Sequence, residues 1–151
     1  LQKNSEFMKT TMKKWMLTLV CLLFIGTANA GNDKPIRLRQ MPVAAQQLIK
    51  KNFNGRRVAL AKAESKSYEV VFTNGDKVEF DRDGRWKEIS CKQSSVPPAL
   101  VPAAISRYVK SHYAGRRIVK LERDRKEFEV NLDNGVEITF NKNFQVTDID
   151  L

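Results

Sequence analysis

Two stretches of the chain alternate apolar and polar residues with a period of two. Tyr68, Val70 and Phe72 interleave with Glu69, Val71 and Thr73, and Phe128, Val130 and Leu132 with Glu129, Asn131 and Asp133. This alternation predicts sheet strands with one greasy and one wet face. Each stretch runs into Asn-Gly, at Asn74-Gly75 and Asn134-Gly135. That pair predicts a tight primed turn with positive φ at both residues, so that Lys77 to Phe80 and Val136 to Phe140 fold back as hairpin partners. A further strand is predicted before each hairpin, over Arg57 to Ala63 and Arg117 to Arg123. Another is predicted after it, over Arg85 to Ser90 and Gln145 to Asp150, beyond turns at Asp81 to Gly84 and Asn141 to Phe144. Upstream the period becomes helical: Val101, Ile105, Tyr108, Val109, His112 and Tyr113 recur at three- and four-residue steps, as do Ala45, Leu48, Ile49 and Phe53. Pro42 and Pro102 are expected in the first turns of these helices, and Gly55 and Gly115 at their left-handed stops.

The two sets of elements are one pattern written twice. Pro42 to Cys91 lies over Pro102 to Leu151 at a fixed offset of 60 without a gap, so that Gly55-Arg56-Arg57 meets Gly115-Arg116-Arg117 and Phe80 meets Phe140. The predicted fold class is therefore α+β: two tandem repeats, each one helix packed on a four-stranded antiparallel sheet. Residues 31–91 and 99–151 hold the repeats, and 92–98, rich in serine and proline, the linker. A unit this small buries only about 60% of its unfolded surface, so the copies are expected to dock or share a sheet. Phe144 stands where the first copy has Gly84, and the second turn is expected to differ.

Residues 1–30 change the picture of location. Lys9, Lys13 and Lys14 precede the apolar run Trp15 to Ile25 and the small-residue site Ala28-Asn29-Ala30, the pattern of a secretory signal peptide. Leu1 to Phe7, ahead of Met8, read as a misplaced start or a cloning scar. The expected product is exported, periplasmic or secreted, with no membrane span after cleavage. Cys21 has no small residue before it, which argues against lipid attachment, and Cys91 is left as a lone, quiet, partly buried thiol. Beyond residue 30 the chain keeps 23 basic and 16 acidic side chains, a net +7. The cations interleave with acids and form no block, so no nucleic-acid partner is expected.

Catalytic and metal chemistry find little material here. One histidine and one cysteine beyond residue 30 do not build a His/Cys metal site or a nucleophilic triad. No enzyme, no catalytic residue, no metal and no cofactor is expected. His112 reads as a packing or boundary residue of its helix, and Asp81-Arg82-Asp83-Gly84 as an ordinary turn, since it lacks the third acid and distant glutamate of a calcium loop. Two features remain. The wet sheet face, carrying Glu69, Val71, Thr73, Lys77, Glu79, Glu129, Asn131 and Glu137 together with Asp133 and Thr139, is broad enough for a protein partner if the two sheets run side by side. The alternative is anion binding by the pairs Arg56-Arg57 and Arg116-Arg117, although cations at a helix carboxyl end are favourable without any ligand.

The proline-opened helix, the run Tyr68 to Gly75 with its echo Phe128 to Gly135, the segment Phe80 to Trp86 and the connector ending in Val96-Pro97-Pro98 resemble the PepSY-like family, also described as beta-lactamase-inhibitor-like. The resemblance implies a tandem helix-on-sheet arrangement whose exposed sheet surface grips another protein. It implies a non-enzymatic binding module that presents this face to an envelope protein and, where that protein is a hydrolase, restrains it. The inhibitor's disulfides are absent from this chain, and no binding loop matches.

Overall fold

The computed structural model describes residues 33–151; the segment read as a signal peptide lies outside the described residues. Nine strands form one antiparallel sheet: β1 (Lys34–Pro35), β2 (Val58–Ala63), β3 (Ser67–Phe72), β4 (Lys77–Asp81), β5 (Trp86–Ser90), β6 (Ile118–Arg123), β7 (Glu127–Leu132), β8 (Glu137–Asn141) and β9 (Val146–Asp150). Every strand pairs with its neighbours in sequence, in the order β1 to β9. Helix α1 (Val43–Asn52) precedes β2 and helix α2 (Ala103–His112) precedes β6, each entered through a short 3-10 turn at Leu38–Gln40 or Pro98–Leu100. The two hairpin systems share one sheet because β5 pairs with β6, with Glu88 opposite Glu122, Ile89 opposite Leu121 and Ser90 opposite Lys120.

Register explains the core. Ala61, Val70, Val78, Ile89, Leu121, Val130, Ile138 and Ile149 stand opposite one another in one row across eight strands. The six central members of this row are fully buried, and both helices turn their apolar stripe onto the same core through Ala45, Ile49, Ile105 and Val109. Each such aliphatic side chain contributes roughly 1.5 to 3 kcal/mol by leaving water. Phe53 stacks on Phe72 at 4.9 Å, and Tyr108 meets Phe140 edge-on at 5.4 Å, which fixes each helix against its own hairpin.

Several local expectations are corrected. Pro42 and Pro102 are N-caps in extended conformation, one residue before the first helical turn. Val101, expected on the second helical stripe, is buried but precedes α2. Asn74 and Asn134 do not adopt positive φ; only the glycines after them do, at 86° and 91°. Gly75 N–H donates to the Phe72 carbonyl and Phe72 N–H to the Asp76 carbonyl, so each hairpin closes through a three-residue loop ending on glycine. The Asn74 side chain instead accepts from the Asp76 N–H. The Phe144 turn does not differ from its counterpart: Phe144 takes φ 59°, beside 81° for Gly84. Asn141 Oδ1 accepts from the N–H groups of residues 143 and 145, as Asp81 Oδ1 does from 83 and 85. The Phe144 ring rests on Phe128 at 5.4 Å. Gly84 is irreplaceable for a second reason, because a Cβ there would lie 2.7 Å from Pro42 Cβ.

β1 was absent from the sequence expectations, and Cys91 is fully rather than partly buried. His112 is exposed and stacks on Tyr108 at 4.1 Å, with Nδ1 3.0 Å from the Tyr108 carbonyl. Among the described residues no helix is long and apolar enough to cross a membrane.

Candidate functional site

Because both helices pack on one side, the opposite face of the sheet is, among the described residues, left to solvent and to polar side chains. Glu69, Glu79, Glu88, Glu122 and Glu129 stand directly opposite one another on β3, β4, β5, β6 and β7. At about 4.8 Å per strand, this ladder of five carboxylates is about 19 Å long. Like charges in opposed positions repel, and lysines relieve them. Lys62 lies 3.3 Å from Glu69 and 2.8 Å from Glu64, Lys77 3.3 Å from Glu88 and 3.6 Å from Glu69, and Lys87 3.2 Å from Glu79. Lys120 is shared among Glu122 at 2.9 Å, Glu129 at 3.5 Å and Glu88 at 3.9 Å.

The proton affinities follow from this sharing. Burial works against the charge of Lys77 and Lys120, but the carboxylates around each outweigh it and hold the ammonium above its usual range. Glu129 moves the other way. Burial raises its pKa, and Glu137 and Glu122 add to that against the pull of Lys120.

Of the residues expected on this face, Glu69, Val71, Lys77, Glu79, Glu129, Asn131, Glu137 and Thr139 alternate with core residues along their strands and stand there. Asn131 donates to Glu137 at 2.7 Å. Thr73 and Asp133 lie beyond the ends of β3 and β7, where their N–H groups donate to the Arg57 and Arg117 carbonyls. Lys62, Glu88, Lys120 and Glu122 belong to the same network and were missed, although period-two alternation over β2 and β6 was the signal for three of them.

The four arginines do not converge on one site. Arg56 is ion-paired with Asp76, which is 0% exposed, lies over Phe53 at 5.0 Å and lines a cleft of about 470 Å³ beside α1. Asp76 Oδ2 also accepts from Asn74 and from Ser94 of the connector, so Arg56 is engaged in joining the β3–β4 turn to the linker. Arg117 pairs with Asp133 at 3.1 Å and donates to the Ser94 carbonyl, and it is exposed, as are Arg57 and Arg116.

A single antiparallel sheet with both helices on one face and a charged ladder on the other defines an α+β protein whose second sheet face no described element covers. The chain belongs to the PepSY-like family: the family described as "Putative beta-lactamase-inhibitor-like, PepSY-like" matches residues 66–148. Among solved structures it is similar to a "putative calcium-regulated periplasmic protein" from Bacteroides thetaiotaomicron, with 52% identity over 80% of this chain and 98% of that one and a TM-score of 0.78. A "putative periplasmic protein" from Bacteroides vulgatus is 48% identical over 83% of this chain and 100% of that one, also with a TM-score of 0.78. A second from the same species, described as of unknown function, is 38% identical over 79% and 99%, with a TM-score of 0.74. No curated protein matches the chain significantly.

Proposed function

We propose that this chain is a non-enzymatic binding module of the periplasm, exported by its N-terminal signal peptide and built from two tandem repeats, that presents its open sheet face to another envelope protein. The observation that carries this reading is the uncovered face itself, continuous across both hairpin systems, with the glutamate ladder held in place by lysines. The periplasmic descriptions of its relatives support the location. Within a chain whose region beyond residue 30 is net positive, the ladder gives this one face an acidic band, so the partner's matching surface is basic. Where the partner is a hydrolase, occupation of its surface restrains it.

Anion binding through the paired arginines is disfavoured because Arg56 is engaged by Asp76 and Arg117 by Asp133. Calcium regulation belongs to the first relative's description. Here the Asp81 carboxylate accepts from two backbone N–H groups and from Arg85, and among the described residues no group of three or more His, Cys, Asp or Glu is placed to hold a metal ion.

Capture from envelope extract with the full chain as bait tests the reading. One protein should be retained by the wild type through a high-salt wash, lost by Glu79→Lys/Glu122→Lys and kept by Arg57→Ala/Arg116→Ala. Equal retention by wild type and the glutamate variant removes the sheet-face reading.

A further inference from the structure

A cleft of about 540 Å³ opens where the β4–β5 turn meets the β6–β7 turn. Its walls carry five cations, Arg85, Lys87, Arg123, Arg125 and Lys142, against two carboxylates, Asp81 and Asp124. Both acids are occupied by their own turns. Asp81 Oδ1 accepts from the N–H groups of Asp83 and Arg85, each at 2.9 Å, and Oδ2 from Arg85 Nε at 3.1 Å. Asp124 Oδ1 accepts from the N–H groups of Lys126 at 2.6 Å and Glu127 at 2.8 Å.

Two of the cations are held against aromatic rings, while Arg85 pairs with Asp81 and Asp83, Lys87 pairs with Glu79, and Arg125 is exposed. The Arg123 guanidinium lies over the Trp86 ring at 4.0 Å, and its Nε donates to the Trp86 carbonyl at 2.8 Å, a bond that leaves the terminal nitrogens of the fork out of the anchor. Lys142 Nζ sits over Phe128 at 4.5 Å and donates to the Asp124 carbonyl.

Comparison inside the chain separates this cluster from general basicity. At the 60-residue offset, Phe128 and Lys142 correspond to Tyr68 and Arg82, which repeat the cation-over-ring contact at 5.5 Å. Arg123 and Arg125, however, correspond to Ala63 and Ser65. The two added arginines stand only where the second hairpin system faces a turn of the first.

We infer that this cleft is a binding site for a ligand carrying two or more phosphate groups. Guanidinium forks match phosphate oxygens in paired hydrogen bonds, and several cations around one cleft favour a multiply charged anion. The volume is that of a small-molecule site. The phosphates belong either to a soluble polyphosphate or to a phosphorylated lipid headgroup, and the inference does not depend on the sheet-face reading.

Calorimetric titration of the full chain with tripolyphosphate at low salt tests it. One saturable site is expected. Its affinity should fall about tenfold or more, a loss of about 1.4 kcal/mol, in Arg123→Ala/Arg125→Ala, and should survive in Arg57→Ala/Arg116→Ala, which removes the same charge elsewhere. Arg125→Ala alone, at an exposed position, should weaken binding even if loss of the Trp86 anchor disturbs the double variant. No saturable binding, or equal weakening in the two double variants, overturns the site. Vesicles containing cardiolipin, a lipid with two phosphates, form the second arm: competition with tripolyphosphate assigns the site to a headgroup, and its absence to a soluble phosphate.

Discussion

At the scale of single residues, the structure departs from the sequence pattern where one side chain carries a backbone or packing duty that its neighbours do not reveal. Phe144 holds a left-handed φ of 59°, a conformation that costs a residue with a Cβ about 1 to 2 kcal/mol. The stacking on Phe128 offsets part of that. Removing the ring while keeping the Cβ should therefore be worse than removing both: in chemical denaturation, Phe144→Gly should be more stable than Phe144→Ala by about 1 kcal/mol. At position 84 the same preference for glycine is reinforced, because a Cβ meets both a positive φ and Pro42, and Gly84→Ala should lose roughly 1 to 3 kcal/mol. Asp76 is a second such residue. Its counterpart at the 60-residue offset is Val136, so nothing in the repeated pattern marked it, yet it binds Arg56, Asn74 and Ser94 from full burial. Asp76→Ala strands these donors and should cost about 3 kcal/mol, measured as a shift of the denaturation midpoint at constant slope.

At the scale of elements, the strands and helices were legible because alternation and helical periodicity are local. Tyr68, Val70 and Phe72 could face only one way. What lay beyond reach was register between elements far apart in the chain. Glu88 and Glu122 stand opposite one another across the connector and α2, and no short-range signal brings them together. The glutamate ladder was therefore visible in its hairpin parts, Glu69 with Glu79, and hidden at its centre. The turns were half legible: Asn-Gly announced a reversal, but the hydrogen bond from Asp76 N–H to the Asn74 side chain favours a loop in which glycine alone is left-handed.

The ladder also sets how stability responds to pH. Glu129 has a raised pKa in the folded state, so folding favours its protonated form and ionising it costs stability as pH rises through its titration. Glu129→Gln should be slightly more stable than wild type at pH 7, within about 1 kcal/mol for a partly exposed group, with the difference vanishing below about pH 4. Lys120 follows the same direction in a higher pH window. Its pKa is raised by Glu122, Glu88 and Glu129 against the effect of burial, so its contribution is complete below about pH 10.4 and is lost as pH climbs above that. Thermal melts of wild type, Glu129→Gln and Lys120→Met across this range distinguish the two.

At the scale of the whole molecule, the apolar row through Ile89 and Leu121 makes both hairpin systems parts of one core. Leu121→Ala should cost about 2 to 5 kcal/mol and shift a single unfolding transition. A melt that splits, with one half left unshifted, shows that the halves are separately stable. The row also explains a contrast at its far end: Ile89 is 0% exposed, while its counterpart Ile149 on β9 is 39% exposed, because β6 and the connector cover one and no described residue covers the other in the same way.

The strictly sequential strand order has a kinetic meaning as well. A strand that pairs with the next one in the chain waits only for a short loop to close, a process of microseconds or less. Eight pairings link the nine strands; β1–β2 and β5–β6 each close across a helix, and of these two only β5–β6 joins the two hairpin systems, after the connector and α2 have been gathered. Loop closure grows costlier with length, though slowly, and distant contacts slow the search. Refolding should then be governed by the joining of two quickly formed meanders, and substitutions at Ile89 or Leu121 should slow it more than equally destabilising ones within a hairpin.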